Sequence, residues 1–428
     1  MYRFIAALLA ATSCVAAAQA QDFAAMRAAQ VPTPLFTLED AVAAAGGSAP
    51  AIEAADAGIR AAEANRRIAG FRPNPVAQAQ VENVAGTGAY SGLRNSETTA
   101  GFLQTLERGG KRRARVAVAS AELSRTELQA AIMAADVRLQ ATRLYIEAIS
   151  AMRRRETARD QARIAGDALR AASLRVQAGR ASPLERQRAD VTRLSAEANV
   201  ERQDRLALAA RTNLERRMGR SIDGELDGGL LDRLPPDGYG PDVPVDPQGT
   251  LALAAADANL AIADANLRLA RANRVPDVDV GPSVRRLEAT NDVAAVFTVS
   301  IPLQVFNNGR AAFDQANAQR SQAEAQRRAG ALDIEQAITN AQAEADNAAT
   351  LARTASGPAL VAAQEAARIA RIGYREGKFG QLDLLDAERT LAETRVAAID
   401  ALAAYQNARA QLERLTAPAV APQVGNGL

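Results

Sequence analysis

The chain has 428 residues, with 51 lysines and arginines against 49 aspartates and glutamates, and it contains neither histidine nor tryptophan. A net charge of +2 favours neither a nucleic acid nor an acidic macromolecule as a partner. Abundant alanine and few aromatic residues argue against globular domains with large side chains in their cores, and favour closely packed helices.

The first twenty residues are organised like a secretory signal peptide. Arg3 precedes an apolar run, and Ala18-Gln19-Ala20 forms a small-residue cleavage site. The single cysteine, Cys14, lies inside this segment. Cleavage after Ala20 would leave an exported chain without cysteine, and lipid attachment at Cys14 is the alternative. No later apolar run is long enough to predict a transmembrane helix.

Residues 21–218 form a first set of predicted elements. Helix starts at Thr37, is interrupted at Gly46-Gly47 and at Pro50, and stops at the Phe71-Arg72-Pro73-Asn74-Pro75 segment. Alternating apolar and polar residues then predict strands. In order, the prediction is a helix, a β-hairpin over 76–106, a long helix over 110–178 and a helix over 183–218.

Residues 219–249 are rich in glycine and proline and predict a linker or an irregular belt. Residues 250–415 then predict a helix, a β-hairpin over 277–305, a long helix over 309–377 and a helix over 381–415, before a tail over 416–428. Gly357-Pro358 should kink or restart the long helix. Its predicted coiled-coil seam is Ile334, Ile338, Ala341, Ala345, Ala348, Ala352, Ala355, Ala359, Ala362, Ala366 and Ile369.

The two sets are related by an internal repeat. Ala64-Asn65-x-Arg67-x-Ala69 matches Ala265-Asn266-x-Arg268-x-Ala270, and Gly110 and Gly179 match Gly309 and Gly377, all about 200 residues apart. Strands of about ten residues suit a tilted crossing of an outer membrane. Four strands cannot close a barrel, so several copies must share one, and three copies would supply twelve strands. A soluble, exported helical rod is the alternative.

The order of elements, the duplication and the turns at 179–185 and 377–386 resemble the TolC family of outer-membrane efflux channels. The Phe71–Pro75 segment, Glu82-Asn83 and above all Gln104-Thr105-Leu106-Glu107-Arg108-Gly109-Gly110-Lys111-Arg112 resemble its cobalt–zinc–cadmium efflux subgroup. The resemblance implies a mainly α fold with a small β part. Long antiparallel coiled-coil helices would form an α-barrel in the periplasm, and two β-hairpins per chain would contribute to a trimeric, 12-stranded β-barrel in the outer membrane.

The resemblance also implies partners and a gate. The partners are a periplasmic adaptor, an inner-membrane pump of the proton-driven RND type and outer-membrane lipid. Asp383 and Asp386, three residues apart on one helical face, fall where the family has pore aspartates. Tyr374 and Glu185 match a tyrosine and an acid that hold the mouth closed, whereas Phe379 stands in place of the family's lock arginine.

Local chemistry at the turns offers simpler roles for the same residues. Ser182-Pro183-Leu184-Glu185 predicts a capping box, and Asp383 suits a helix N-terminus. Gly179 and Gly377 predict left-handed helix caps. The residues expected to dock the adaptor are Gly179, Arg180, Leu184, Gly377, Lys378 and Leu382.

The expected function is a passive exit duct for divalent heavy-metal cations. The same duct serving drugs or type I protein secretion is one alternative, and a soluble periplasmic coiled-coil adaptor is another. No nucleophile and base stand together, so no enzyme activity is predicted. With no histidine and no cysteine in the exported chain, no metal site and no cofactor are predicted. Aromatic residues for a membrane girdle are few: Phe71, Tyr90, Phe102, Phe297 and Phe306.

Overall fold

The structure, a computed structural model, describes residues 35–234 and 247–419. The predicted signal peptide with Cys14, the middle of the glycine- and proline-rich segment and most of the tail lie outside these residues. The described helices are α1 Leu38–Ser48, α2 Pro50–Ala69, α3 Lys111–Gln177, α4 Pro183–Met218, α5 Leu251–Asn273, α6 Arg310–Thr354, α7 Leu360–Arg375 and α8 Gln381–Leu415. The strands are β1 Val76–Glu82, β2 Glu97–Leu106, β3 Val278–Leu287 and β4 Asp292–Ser300.

Helix α3 organises the bundle. Its 67 residues span about 100 Å at 1.5 Å per residue. Near the sheet it packs against α2 and α5, and further away it packs against α4 and α8. Helix α5 packs on α6, and α8 packs on α6 and α7. Each long helix is therefore flanked along its whole length by shorter helices stacked end to end. Within the described residues, no helix is long and apolar enough to cross a membrane.

The four strands form one antiparallel sheet in the order β1-β2-β3-β4, so that the two hairpins pair through β2 and β3. The register places most of the apolar residues of the strands on one face: Ala77, Ala79, Val81, Ala100, Phe102, Leu106, Val278, Val280, Val284, Val293, Ala295, Phe297 and Val299. The other face is mainly polar. There Arg285 donates to Glu97 (2.9 Å) and Thr99 (3.0 Å), and the Thr105 hydroxyl donates to Asp279 (2.6 Å).

A large buried cluster occupies the middle of the bundle, and we call it the central cluster. It includes the fully buried Tyr145, Leu214 and Tyr405, which are larger than the alanine-rich sequence leads one to expect. The Tyr145 hydroxyl donates to the carbonyl oxygens of Phe36 (2.7 Å) and Asp227 (3.1 Å). Residues 219–234, expected to be a linker or belt, pack here and fill the space with further apolar side chains: Ile222, Leu226, Leu230 and Leu231.

Two boundaries differ from the sequence expectation. Helix α1 continues through Gly46-Gly47 and breaks only before Pro50, because Ala41 and Ala45 are buried against the central cluster and hold the helix in place. Strand β4 ends at Ser300 rather than continuing to Leu303, because Pro302 has no backbone N–H to donate to a partner strand.

The long helix expected over 309–377 is interrupted by a π-helical turn, Ala355–Ala359, where Gly357 has non-helical dihedrals (φ −99°, ψ −107°). The predicted seam is buried before this turn, at Ile338, Ala345 and Ala352. Beyond it the seam prediction is wrong: Ala359, Ala362, Ala366 and Ile369 are exposed. The wider turn inserts one residue into the repeat, so the buried positions become Ala363, Ala367, Ala370 and Tyr374.

Candidate functional site

The two helical turns at the end of the bundle opposite the sheet lie side by side. The α3–α4 turn begins with Gly179 (φ 68°), and the α7–α8 turn begins with Gly377 (φ 73°). Both glycines adopt the left-handed conformation that ends a helix, as the sequence predicts, because a side chain there would strain the backbone. The Gln381 side chain joins the turns by donating to the Glu185 carbonyl oxygen (2.8 Å).

Glu185 and Tyr374 meet between these turns. The Tyr374 hydroxyl donates to Glu185 Oε1 (2.6 Å), and the tyrosine is 6% exposed. Its ring packs beside Ala370 and Leu384. Burial, together with the hydrogen bond to the Glu185 carboxylate, raises the pKa of Tyr374 to about 12. The tyrosine therefore remains a proton donor to Glu185 at any physiological pH.

The predicted capping box at α4 is not formed. Ser182 does cap the helix, since its hydroxyl oxygen accepts from the Leu184 N–H (3.3 Å). The Glu185 carboxylate, however, is turned towards Tyr374 rather than back to Ser182. A charged oxygen gains more from a buried hydroxyl donor than from an exposed backbone N–H, because water competes less for the buried contact.

Arg175 completes this contact, and the sequence reasoning missed it. Its guanidinium carbon lies 4.7 Å from the centre of the Tyr374 ring, and its Nε lies 3.8 Å from Glu185 Oε1. A basic residue in the last turn of α3 suits the negative end of that helix, so nothing in the sequence pattern set it apart. We call Glu185, Tyr374 and Arg175 the turn triad.

Phe379, where the sequence resemblance led us to expect an arginine, makes an aromatic contact. Its ring lies against Gly373, where a Cβ atom would be 2.1 Å from Phe379 Cδ2. Only glycine fits under the ring. The α7–α8 turn is thus held by the packing of Phe379 on Gly373. The positively charged group beside Tyr374 and Glu185 is Arg175 of α3 instead.

The two candidate pore aspartates are exposed on the first turns of α8. Asp383 accepts from the backbone N–H of Gly380 (2.9 Å), and Asp386 is paired with Arg389 (2.6 Å). The predicted capping role of Asp383 is therefore present. Both residues line an open groove of about 1370 Å³ between α3, α4, α7 and α8.

A further ion pair, also missed from the sequence, crosses the base of this groove. Arg371 and Glu388 form a two-pronged contact between α7 and α8, with Nη2 and Oε2 2.7 Å apart. Glu388 is only 7% exposed, and its hydrogen bonds raise the pKa of Arg371. The pair joins α7 to α8, which form one helical hairpin. The turn triad instead joins that helical hairpin to the one formed by α3 and α4.

The residues expected to dock an adaptor surround the turns. Leu184 and Leu382 are 54% and 63% exposed, and Arg180, Gly377 and Lys378 are also exposed. The two turns present them as one surface with an apolar and a basic side chain from each hairpin. In the part of the chain that the structure describes, no three acidic, histidine or cysteine side chains converge to hold a metal ion.

Part of the chain matches a known protein family. Residues 248–417 match the family model for outer membrane efflux proteins. The cobalt-zinc-cadmium resistance protein CzcC of Cupriavidus metallidurans is 28% identical over 381 residues, which cover 89% of this chain and 90% of CzcC.

Solved outer-membrane channels have the same fold. VceC of Vibrio cholerae aligns with a TM-score of 0.70 at 18% identity, covering 89% of this chain and 96% of VceC. The open state of MtrE from Neisseria gonorrhoeae aligns with a TM-score of 0.73 at 19% identity, covering 89% and 88%. The second half of the chain is therefore similar to the outer membrane efflux protein family, and the described chain has the fold of TolC-type channels.

Proposed function

We propose that this protein is the outer-membrane duct of a tripartite efflux system that exports divalent heavy-metal cations. The observation that carries the proposal is the two-faced sheet at the end of a bundle about 100 Å long. An apolar face suits lipid and a polar face suits a water-filled lumen. The helices would extend from this sheet into the periplasm.

The outer strands of the sheet support a shared barrel. Within the described residues, β1 and β4 each pair on one side only. Unpaired backbone groups are costly in lipid, so other copies must supply the missing partners. Three copies would give a 12-stranded barrel wide enough for water, whereas the eight strands of a dimer would be filled by side chains.

The turn triad and the α8 aspartates support a gate at the periplasmic mouth. The triad ties the two hairpins together, which would keep the mouth narrow. Asp383 and Asp386 would form two stacked acidic rings in a trimer, and such rings favour cations over anions. The surface containing Arg180, Leu184 and Leu382 would dock a periplasmic adaptor, which in turn would connect the duct to a proton-driven RND-type pump.

The similarity to a cobalt-zinc-cadmium resistance protein favours metal cargo. The duct would pass its cargo without chemical change, so the protein is not an enzyme. A duct for drugs or for type I protein secretion could use the same architecture. A soluble periplasmic adaptor is less consistent with the apolar face of the sheet, where Val293 and Phe297 are 68% and 69% exposed.

Growth of a deletion strain tests the cargo. The strain is exposed to cobalt, zinc, cadmium, copper and nickel salts and to a panel of drugs, with and without the gene restored. Sensitivity confined to metals, and reversed by the gene, supports the proposal. Sensitivity confined to drugs would keep the duct and reject metal cargo.

Extraction tests the assembly. A duct should require detergent for release from membranes and should migrate as a heat-resistant trimer. Release by osmotic shock as a soluble monomer would contradict the proposal and favour the adaptor. The two experiments are independent, because one concerns cargo and the other concerns the membrane.

A further inference from the structure

Four helix ends meet the sheet side by side. The Arg112 side chain at the start of α3 donates to the Gly70 carbonyl oxygen at the end of α2 (2.5 Å). Gly109 lies directly against Val275, after the end of α5, and Gly309, before α6, lies against Arg274. The ends of α2, α3, α5 and α6 therefore form one continuous row beneath the sheet.

This row carries exposed arginines from every one of its four helices, and we call them the basic belt. Its members are Arg66, Arg67, Arg72, Arg108, Arg112, Arg113, Arg271, Arg274 and Arg310.

Two acidic residues next to the belt in the chain are already engaged by other cations. Asp277 is paired with Lys111 (2.8 Å), and Glu107 is paired with Arg115. Arg310 has only a distant carboxylate, Asp314, at 4.0 Å. Within the described residues, the other eight members of the belt, among them Arg66, Arg67, Arg72 and Arg113, have no acidic partner at ion-pair distance. The belt therefore carries a net positive charge that this chain does not neutralise.

The arrangement is electrostatically unfavourable for the isolated chain. The first turn of α3 contains Lys111, Arg112 and Arg113 and no acidic residue, although a helix N-terminus favours negative charge. The neighbouring arginines also repel one another. An anionic partner would relieve both effects.

Apolar side chains adjoin the belt on the side of the sheet. Ile68 and Phe71 are 62% and 68% exposed next to Arg66, Arg67 and Arg72 in the chain. After β4, Leu303 and Phe306 are almost fully exposed as well. A band of apolar residues bordered by arginines matches the boundary between acyl chains and headgroups, where a long basic side chain reaches the phosphate layer.

We propose that the basic belt binds the phosphates of anionic phospholipids in the leaflet on the helix side of the membrane. The apolar face of the sheet would lie among the acyl chains, and the arginines would fix the depth of the protein. The proposal rests on the membrane location given above. A protein partner fits the belt less well, because the belt is continuous with the apolar face.

The test uses the detergent-solubilised full chain. Its thermal unfolding midpoint is measured while phosphatidylglycerol or phosphatidylcholine is added to the micelles. Phosphatidylglycerol should raise the midpoint more than phosphatidylcholine does, and added salt should reduce the difference. A variant with four glutamines, Arg66→Gln, Arg67→Gln, Arg72→Gln and Arg113→Gln, should need roughly tenfold or more phosphatidylglycerol for the same rise.

A matched variant controls for net charge. It replaces four exposed arginines of α4, far from the sheet, with glutamine: Arg188, Arg202, Arg205 and Arg216. It should keep the response of the unmodified chain. Equal responses to the two lipids in the unmodified chain, or an unchanged response in the belt variant, would overturn the proposal.

Two further readouts separate the alternatives. Stable insertion into vesicles of phosphatidylcholine alone tests the membrane location independently of the belt, and failure there would count against the proposed function instead. A belt variant with a normal lipid response but lost metal resistance would assign the belt to a protein partner and reject lipid binding.

Discussion

The middle of the bundle and the end that carries the turns are held together in different ways. The central cluster buries side chains from five helices and from the segment over 219–234, including the fully buried Tyr145, Leu214 and Tyr405. The turn end has only two small clusters, Ala363, Ala367 and Leu391, and Ala370, Tyr374 and Leu384. Its further contacts include the packing of Phe379 on Gly373 and two polar contacts, the turn triad and the Arg371–Glu388 pair.

This difference between the two regions assigns the stability of the fold and the opening of the turn end to different sets of contacts. Apolar burial is lost only by unfolding, since it is spread over many atoms. A few charge-assisted hydrogen bonds can be exchanged for contacts with water or a partner at small cost. We therefore expect the central cluster to determine whether the chain is folded, and the turn triad to determine whether its end is closed.

The largest effect is expected in the central cluster. Leu214→Ala should lower the free energy of unfolding by about 2–5 kcal/mol, because a fully buried leucine leaves a cavity. The thermal unfolding midpoint measures the loss. Leu208→Ala, on the same helix but 66% exposed, is the control and should cost under about 1 kcal/mol. Equal losses would show that the centre is not the stabilising region.

Replacing a tyrosine with phenylalanine should have different consequences in the two regions. Tyr145→Phe removes the donor to two carbonyl oxygens and should cost about 1–3 kcal/mol of stability without changing conductance. Tyr374→Phe should leave the unfolding midpoint nearly unchanged. It should shift the closed state towards the open one about tenfold, because it removes a hydrogen bond to a carboxylate.

Planar-bilayer conductance together with thermal unfolding measures both effects. If Tyr374→Phe unfolds the chain as readily as Tyr145→Phe does, the division between the two regions is wrong.

A smaller effect is expected from the α8 aspartates. Asp383→Asn with Asp386→Asn should weaken the preference for cations, measured as a reversal potential in a salt gradient. Asp386 is paired with Arg389, so Asp383 should account for most of the change. Asp190→Asn, where the aspartate is paired with Arg193 on α4, is a matched control. Unchanged selectivity in the double variant would reject the acidic rings.

The smallest effect concerns pH. The raised pKa of Tyr374 means that its proton is bound more tightly when the tyrosine is buried against Glu185 than when the opened turns expose it to water, where tyrosine titrates near 10. The stabilisation of the closed turns by the Tyr374–Glu185 hydrogen bond is therefore complete below pH 10 and is lost as pH rises through about 12. Conductance should not respond to this tyrosine between about pH 6 and 9. It should begin to rise above about pH 10 in the unmodified chain but not in Tyr374→Phe.

Much of the fold could be predicted because the patterns were local. The alternation of apolar residues in β3 and the proline and glycine boundaries of α3 and α4 placed those elements within a few residues. The seam beyond Gly357 could not be placed, because the sequence shows a proline but not how many residues its turn absorbs. The one-residue insertion changes which residues are buried along the whole of α7.

The candidate site could be predicted only in part. The meeting of Glu185 and Tyr374, separated by 189 residues, was expected from the family resemblance and not from spacing. Arg175 was missed because its position in the last turn of α3 already had a local explanation. Asp383 had a local explanation too, as a helix cap, and that role is present in the structure.

The pairing of β2 with β3 has a consequence for the synthesis of the chain. About 170 residues separate the end of β2 from the start of β3. At about 5–20 residues per second, the first hairpin would exist for roughly 10–30 seconds before its partner strand is made. During that delay one edge of β2 is open to pairing with another chain. Newly made chains should therefore depend on a holding factor that protects this edge until the second hairpin arrives.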